Sequence, residues 1–297
     1  MKIPPKISFW NHLFCCFGLI SLFAAATANS QTSLFKKQSG GLPTSPHFLT
    51  TNPLWLLPAS SMQISLGVEA RSDWQAPLSG LQGRLLRLGV MRVDFGASSN
   101  IVIQIRGAIR QQLEIDETSS QPKAGFPTGG TTSDAGDFSV GTIVRIAQNA
   151  AQTTAFGMRA ETRLPNSTQK KGIGTNTTDV FLAAMLSQKF EKFLLFGEVG
   201  MGILTAPVET DEQNDVLTYG LGVSYRAGSR LQFAGEINGY LTTRNIIPVG
   251  TEARGVARAG VSWLLKAMNL ELSVTRGVTK NEGIWGGMLG LARRFEL

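Results

Sequence analysis

Two adjoining stretches of strict alternation constrain this chain more than any other feature. Over residues 217–226, Leu217, Tyr219, Leu221, Val223 and Tyr225 alternate with Thr218, Gly220, Gly222, Ser224 and Arg226. Ala227, Gly228, Ser229 and Arg230 read as a tight turn. The alternation then resumes with Leu231, Phe233, Gly235, Ile237, Gly239 and Leu241 against Gln232, Ala234, Glu236, Asn238 and Tyr240. A period of two places each set on its own face of a strand, so the pair is a hairpin with one apolar and one polar face. Two solvents are open to it. In a soluble sandwich the apolar face packs a core; in an outer-membrane barrel it meets lipid while the polar face lines a lumen.

The rest of the chain decides between them. Alternating segments near residues 62–70, 83–96, 101–113, 138–147, 154–164, 179–190, 192–204, 255–265, 270–278 and 288–297 join the hairpin to predict twelve strands, most of them near the ~9–11 residues that a tilted strand needs to cross a bilayer. The connections after even strands are short, at 97–100, 148–153, 191, 227–230 and 266–269. Those after odd strands are mostly long and polar, at 114–137, 165–178, 205–216 and 242–254. Short turns on one side and long loops on the other are the pattern of a barrel with periplasmic turns and outer loops. The expected fold is therefore a twelve-stranded antiparallel transmembrane β-barrel over residues 62–297.

The N-terminus agrees on compartment. Lys2 and Lys6, an apolar run over 13–23 and small residues ending in Ala26, Thr27 and Ala28 read as a signal peptide at residues 1–28, so the expected location is the outer membrane. Cys15 and Cys16 lie within its apolar core, which leaves the mature chain without a thiol. Removing Lys2 and Lys6 reduces the formal charge from +7 to about +5, an excess spread along strands, so no nucleic-acid partner is expected. Residues 29–61, rich in Pro, Ser and Thr, read as a flexible leader. The apolar cluster Leu54, Trp55, Leu56 and Leu57 within it could pack on the barrel rim or anchor at the membrane interface.

Read by register, the polar faces carry Arg106, Arg110, Arg145, Arg159, Glu161, Arg163, Glu198, Arg226, Glu236, Arg258 and Glu271, along with Glu69 and Arg294. Charge in lipid is costly, so a spanning barrel turns these side chains inward. Two readings of them stay open: an Arg-rich pore that favours anionic solutes, or cross-strand Arg–Glu pairs that stiffen the wall and partly fill the lumen. Phe156, Phe193, Tyr225, Phe233, Trp263 and Phe295 fall on apolar faces near short turns or the C-terminus, as a periplasmic interface girdle would; Trp74 and Trp285 are candidates for the outer girdle. Around 85–95 the apolar set changes face, which predicts a bulge. Residues 180–186 are apolar on both faces, as in an occluded or plugged segment.

No catalytic residue is expected. His12 leaves with the signal and His47 lies in the leader, so the strands offer no histidine base. Asp211, Glu212 and Asp215 read as a solvated acidic tip, and neither metal nor cofactor is expected.

Val93, Asp94, Phe95 and Gly96 before a short turn, Gly136 and Asp137 opening the strand at 138–147, and Leu164–Pro165 followed by a Gly/Thr-rich loop to Asp179 resemble the outer-membrane channel family labelled as the MetA pathway of phenol degradation group. The resemblance covers about a third of the chain. It implies a barrel related in style to hydrocarbon and aromatic uptake channels. The expected function is passive uptake or efflux of small, anionic or aromatic, solutes, with outer-membrane lipid, the barrel-assembly machinery and the solute as partners. The alternative is a non-conducting barrel that acts through its loops in adhesion, structure or assembly.

Overall fold

A computed structural model describes residues 45–116, 125–208, 212–265 and 268–297. The expected signal peptide, the first part of the leader, and Asp211 of the acidic tip lie outside the described residues. The strands are β1 (Ser61–Gln75), β2 (Gln82–Ser98), β3 (Ile101–Ile115), β4 (Thr131–Asp134), β5 (Ser139–Gln148), β6 (Thr154–Arg163), β7 (Asp179–Phe190), β8 (Phe193–Thr205), β9 (Gln213–Arg226), β10 (Leu231–Thr242), β11 (Arg254–Leu265), β12 (Met268–Gly277) and β13 (Trp285–Glu296).

Each barrel strand pairs antiparallel with its neighbours in sequence, and β1 pairs with both β2 and β13. That last pairing closes the sheet into a ring of twelve. The thirteenth strand, β4, stands outside the ring and adds four residues to the outer end of β3. Its sequence, Thr-Thr-Ser-Asp, has no apolar alternation, so the region reads as loop until β3 offers an edge to pair with. The alternation of short and long connections holds around the ring, with turns as brief as 191–192 at one end and loops as long as 164–178 at the other.

The alternating stretches at 217–226 and 231–241 form the hairpin β9–β10. Phe233 pairs with Tyr225 and Ile237 with Leu221. Leu221 is 54% exposed and Phe233 46%, whereas Gln232 and Glu236 are 1% and 6% exposed. The same division runs round the barrel: Leu66, Ile109, Leu182, Val199, Met201, Leu217, Val274, Leu289 and Leu291 all face outward and exposed. A continuous belt of large apolar side chains on a closed sheet is far beyond the patch a water-soluble monomer carries, and is the surface that lipid covers.

The predicted bulge is at Gly89. Gly67 pairs with Val90 and Val68 with Leu88, so Gly89 is the extra residue, and its φ of +62° is one that glycine adopts without strain. The face changes across it in both β2 and β3. Asp94 and Arg92 point inward on one side of it, Leu85 on the other; in β3, Gln104 and Ala108 point inward, then Gln111 and Leu113. Ile109 and Arg110 between them both face out.

With cysteine placed singly at Ile237 and at Asn238 in the refolded protein, a lipid-dissolved thiol probe is expected to label position 237 and to spare 238. Preferential labelling of 238 would reverse the register of β10.

Candidate functional site

The polypeptide ahead of β1 turns back into the barrel. Residues 45–57 lie inside the ring, and exposed residues 58–60 lead out to the start of β1. For this part of the leader the structure replaces the expected mobile linker with a buried plug. The wall provides the partners that its backbone would otherwise find in water: Glu271 accepts from the His47 N–H at 2.7 Å, Glu236 from the N–H groups of Thr50 and Thr51, and the Ser187 hydroxyl from Leu54 N–H at 3.0 Å. Arg92 donates to the carbonyls of Pro46 and Leu49 and to the Asn52 side chain, and Arg106 donates to the Thr50 carbonyl.

Two apolar contacts anchor the ends of this segment. Phe48 and Leu49 pack with Phe196, Ala234 and Met288. Leu54, fully buried, packs with Ile143, Ala155 and Met185, with Trp55 and Leu56 against the same cluster. The leader's apolar cluster is thus neither a rim contact nor a membrane anchor at Leu54; it is lumen filling. It also accounts for residues 180–186, which are apolar on both faces because Met185 meets Leu54 inside while Leu182 and Leu186 meet lipid outside.

The inward charges are paired. Arg159 bridges Glu161 at 3.1 Å and Glu198 at 2.6 Å, and Arg106 reaches Glu161 at 2.6 Å. Arg258 pairs with Glu236 at 2.9 Å, and Arg163 pairs with Asp179. Glu271 is buried and serves the plug. Arg145, three residues before the end of β5, and Arg226, the last residue of β9, sit toward the short turns instead. Arg145 donates to the Ser99 carbonyl and the Asn100 side chain, and Arg226 is exposed opposite Gln232. Arg110 is a correction to the lumen set. The face change beside Gly89 turns it outward opposite Leu88, where it donates to Ser133.

Sequence reasoning missed several lumen charges. Arg92 holds Asp94 at 2.8 Å, Arg71 holds Glu69 at 2.8 Å, and Arg87 holds Glu69 at 3.0 Å. The signal was present: opposite charges two residues apart in a strand share a face, as Glu69/Arg71, Arg92/Asp94 and Arg159/Glu161 do. Glu282 could not be found this way because it sits in the loop after β12, where it accepts from Arg71 and, at 3.0 Å, from Arg254. A buried arginine stripped of its partner is strongly destabilising, so these networks fix the wall more than they attract solute.

Between the plug and the outer loops lies a cavity of about 340 Å³. Phe48, Trp74, Tyr240 and Met288 line it together with Arg87 and Arg254. Trp74 is buried, with the guanidinium groups of Arg87 and Arg254 5.9 and 5.7 Å from its ring. It is therefore a lumen residue and not part of an outer girdle. Trp285 is 59% exposed. The outer loops close over the cavity: Ile173 packs with Trp74, Ala76, Leu81, Leu85, Leu113 and Ile115, and the Ser79 hydroxyl donates to the Gly172 carbonyl.

At the short-turn end Phe156, Phe193, Phe233 and Trp263 are exposed on the outer face, and Phe193 stacks on Tyr225 with ring centroids 4.7 Å apart. Phe295 lies beside Met62, with the Arg293 guanidinium 5.0 Å from its ring. Phe190, opposite Phe193, adds to this set.

Closure, the apolar belt and the polar interior make this protein an outer-membrane β-barrel. No protein-family model matches the chain, and no curated protein matches it. Among solved structures it is similar to the COG4313 outer membrane channel from Pseudomonas putida F1, at 15% identity and a TM-score of 0.59, covering 82% of this chain and 98% of that one. It is also similar to the NanC porin, at 10% identity and a TM-score of 0.51, covering 80% and 100%. At these identities the likeness is one of fold.

Two outcomes follow for stability. Leu54→Ala removes the fully buried anchor of the plug and is expected to cost about 2–5 kcal/mol in urea unfolding from lipid vesicles. Burial alone would raise the Glu282 carboxyl, but Arg254, Arg71 and Arg87 outweigh it and hold its pKa below the ordinary value. A carboxyl with a depressed folded pKa stabilises fully above the unfolded value of ~4.3 and loses that contribution as pH falls through the folded value. The unfolding midpoint of the wild type is therefore expected to fall more steeply below pH ~4 than that of Glu282→Gln.

Proposed function

We infer that the protein is an outer-membrane channel for small solutes, and that its cavity is a waypoint for anionic or aromatic ones. The observation that carries this reading is the composition of the cavity wall. Trp74 Nε1 and Arg254 Nε are buried polar atoms without a hydrogen-bond partner. Beside them Tyr240, Phe48 and Met288 offer apolar surface. An aromatic carboxylate satisfies both kinds of group, since its ring replaces water on the apolar wall and its oxygens accept from the donors. The chamber arginines, like those below, are paired with carboxylates, Arg254 with Glu282 and Arg87 with Glu69, so selectivity rests on the local donors Arg254 Nε and Trp74 Nε1 and not on an overall positive pore. Arg106, Arg159, Arg163, Glu161, Glu198, Glu236, Arg258 and Glu271 act in this reading as the paired wall along which a solute moves.

Passage needs the plug to shift, because residues 47–54 cross the lumen below the chamber. The same plug favours a second reading, a non-conducting barrel that acts through its loops. Nothing in either reading calls for catalysis. Outer-membrane lipid and the barrel-assembly machinery are the partners that any such barrel requires.

Planar-bilayer recording separates the two readings. Small or infrequent currents are expected from the mature protein and larger ones from Phe48→Ala/Leu54→Ala, which empties both anchors. Silence from both proteins, each verified as a folded barrel, removes the channel reading. In vesicles, benzoate entry is expected to exceed that of benzylamine and to fall roughly tenfold in Arg254→Ala, as for loss of one charge-assisted bond.

A further inference from the structure

We propose that the lumen is a receptor for a polypeptide backbone, and that residues 45–57, which turn at 46–49, are its exchangeable built-in ligand. The pattern of contacts carries this. The wall binds the plug chiefly through main-chain atoms: Glu271 and Glu236 take the N–H groups of His47, Thr50 and Thr51, Ser187 takes that of Leu54, and Arg92 and Arg106 take the carbonyls of Pro46, Leu49 and Thr50. The side chains tell the complementary story. His47 Nδ1 and Thr51 Oγ1 are buried without a hydrogen-bond partner, although the N–H groups of these same two residues are held at 2.7 and 2.8 Å. Side-chain bonds do exist, at Thr50 with Arg258, at Ser45 with Arg92 and at Asn52 with Arg92 and Gln104, but they supplement a main-chain frame that any residue other than proline can supply at 47, 50, 51 and 54.

The wall is also cut to the path of the segment. A Cβ added at Gly220 would stand 2.4 Å from Thr51 Oγ1, one at Gly260 2.8 Å from Phe48 Cζ, and one at Gly157 2.7 Å from Leu54 Cδ2. Three wall strands thus withhold a side chain where the segment passes. The anchors Phe48 and Leu54 are six residues apart, and residues 45–57 include no Asp, Glu, Lys or Arg. An added charge in the segment would face a wall whose own charges are already matched. The ligand class is therefore an uncharged peptide that can take the turn at 46–49 and carries an aromatic residue six positions before an aliphatic one. This stands apart from the solute reading, since a barrel that passes no solute can still exchange the peptide.

The test keeps the plug in place during folding. A protease recognition sequence is inserted at the exposed residues Ala59 and Ser60, the full chain is refolded into vesicles, and the segment is then nicked. A fluorescent synthetic peptide of residues 45–58 is expected to exchange into the nicked barrel, read by anisotropy. The same peptide with His47→Ala and Thr51→Ala should bind within about threefold of it. A peptide N-methylated at His47 and Thr51 loses two N–H···carboxylate bonds and should bind about a hundredfold more weakly, about tenfold for each bond. Equal binding by the N-methylated peptide, or an equal loss in the alanine peptide, overturns backbone recognition. A nicked segment that the peptide never replaces overturns exchange.

Discussion

In hydrocarbon a backbone N–H or C=O without a partner has no water to turn to, and each costs several kcal/mol. A sheet that crosses a membrane must therefore close on itself, and in this chain the pairing of β1 with both β2 and β13 does so. The remaining features descend from that closure. Strict alternation sends one set of side chains to lipid and the other into a confined interior. The interior set includes arginines and carboxylates too deeply placed to rely on bulk water, so they pair with one another.

Pairing explains why the lumen holds so much charge with so little of it available. Glu161 is shared by Arg106 and Arg159, and Glu69 by Arg71 and Arg87. Where the ladder has capacity to spare, the plug uses it: Glu236 serves Arg258 on one side and two plug N–H groups on the other. The plug is thus an extension of the wall's electrostatics. Its two apolar anchors supply burial, and its main chain completes the hydrogen bonding of side chains that would otherwise need solvent.

The outer end follows a different logic. There Trp74, Ile173 and Leu81 form an apolar seal between loops, and Glu282 ties a loop to two arginines of the wall. Between seal and plug a mixed chamber remains. Its aromatic surface, from Phe48, Trp74 and Tyr240, distinguishes it from the rest of the lumen, where charged side chains pair with one another.

The sequence by itself determined the barrel. Period-two alternation, strand length and the rhythm of short and long connections are local properties. They fixed which face of β9 and β10 meets lipid and located the change of face near Gly89. They also put Arg106, Arg159, Glu161, Glu198, Glu236 and Arg258 inside, because inside and outside are the only two directions a strand offers. What only the tertiary structure decided is what those inward groups meet. The consequence of the bulge for Arg110 depends on its neighbour strand, Trp74 turns inward because two arginines and a loop seal await it there, and residues 45–57 become a plug instead of a tether. Pro-, Ser- and Thr-rich composition reports only that a segment cannot make its own core or its own regular hydrogen bonds. Whether it stays in water or is held by another part of the chain depends on partners hundreds of residues away, such as Glu236 and Glu271, and no local pattern encodes that distance.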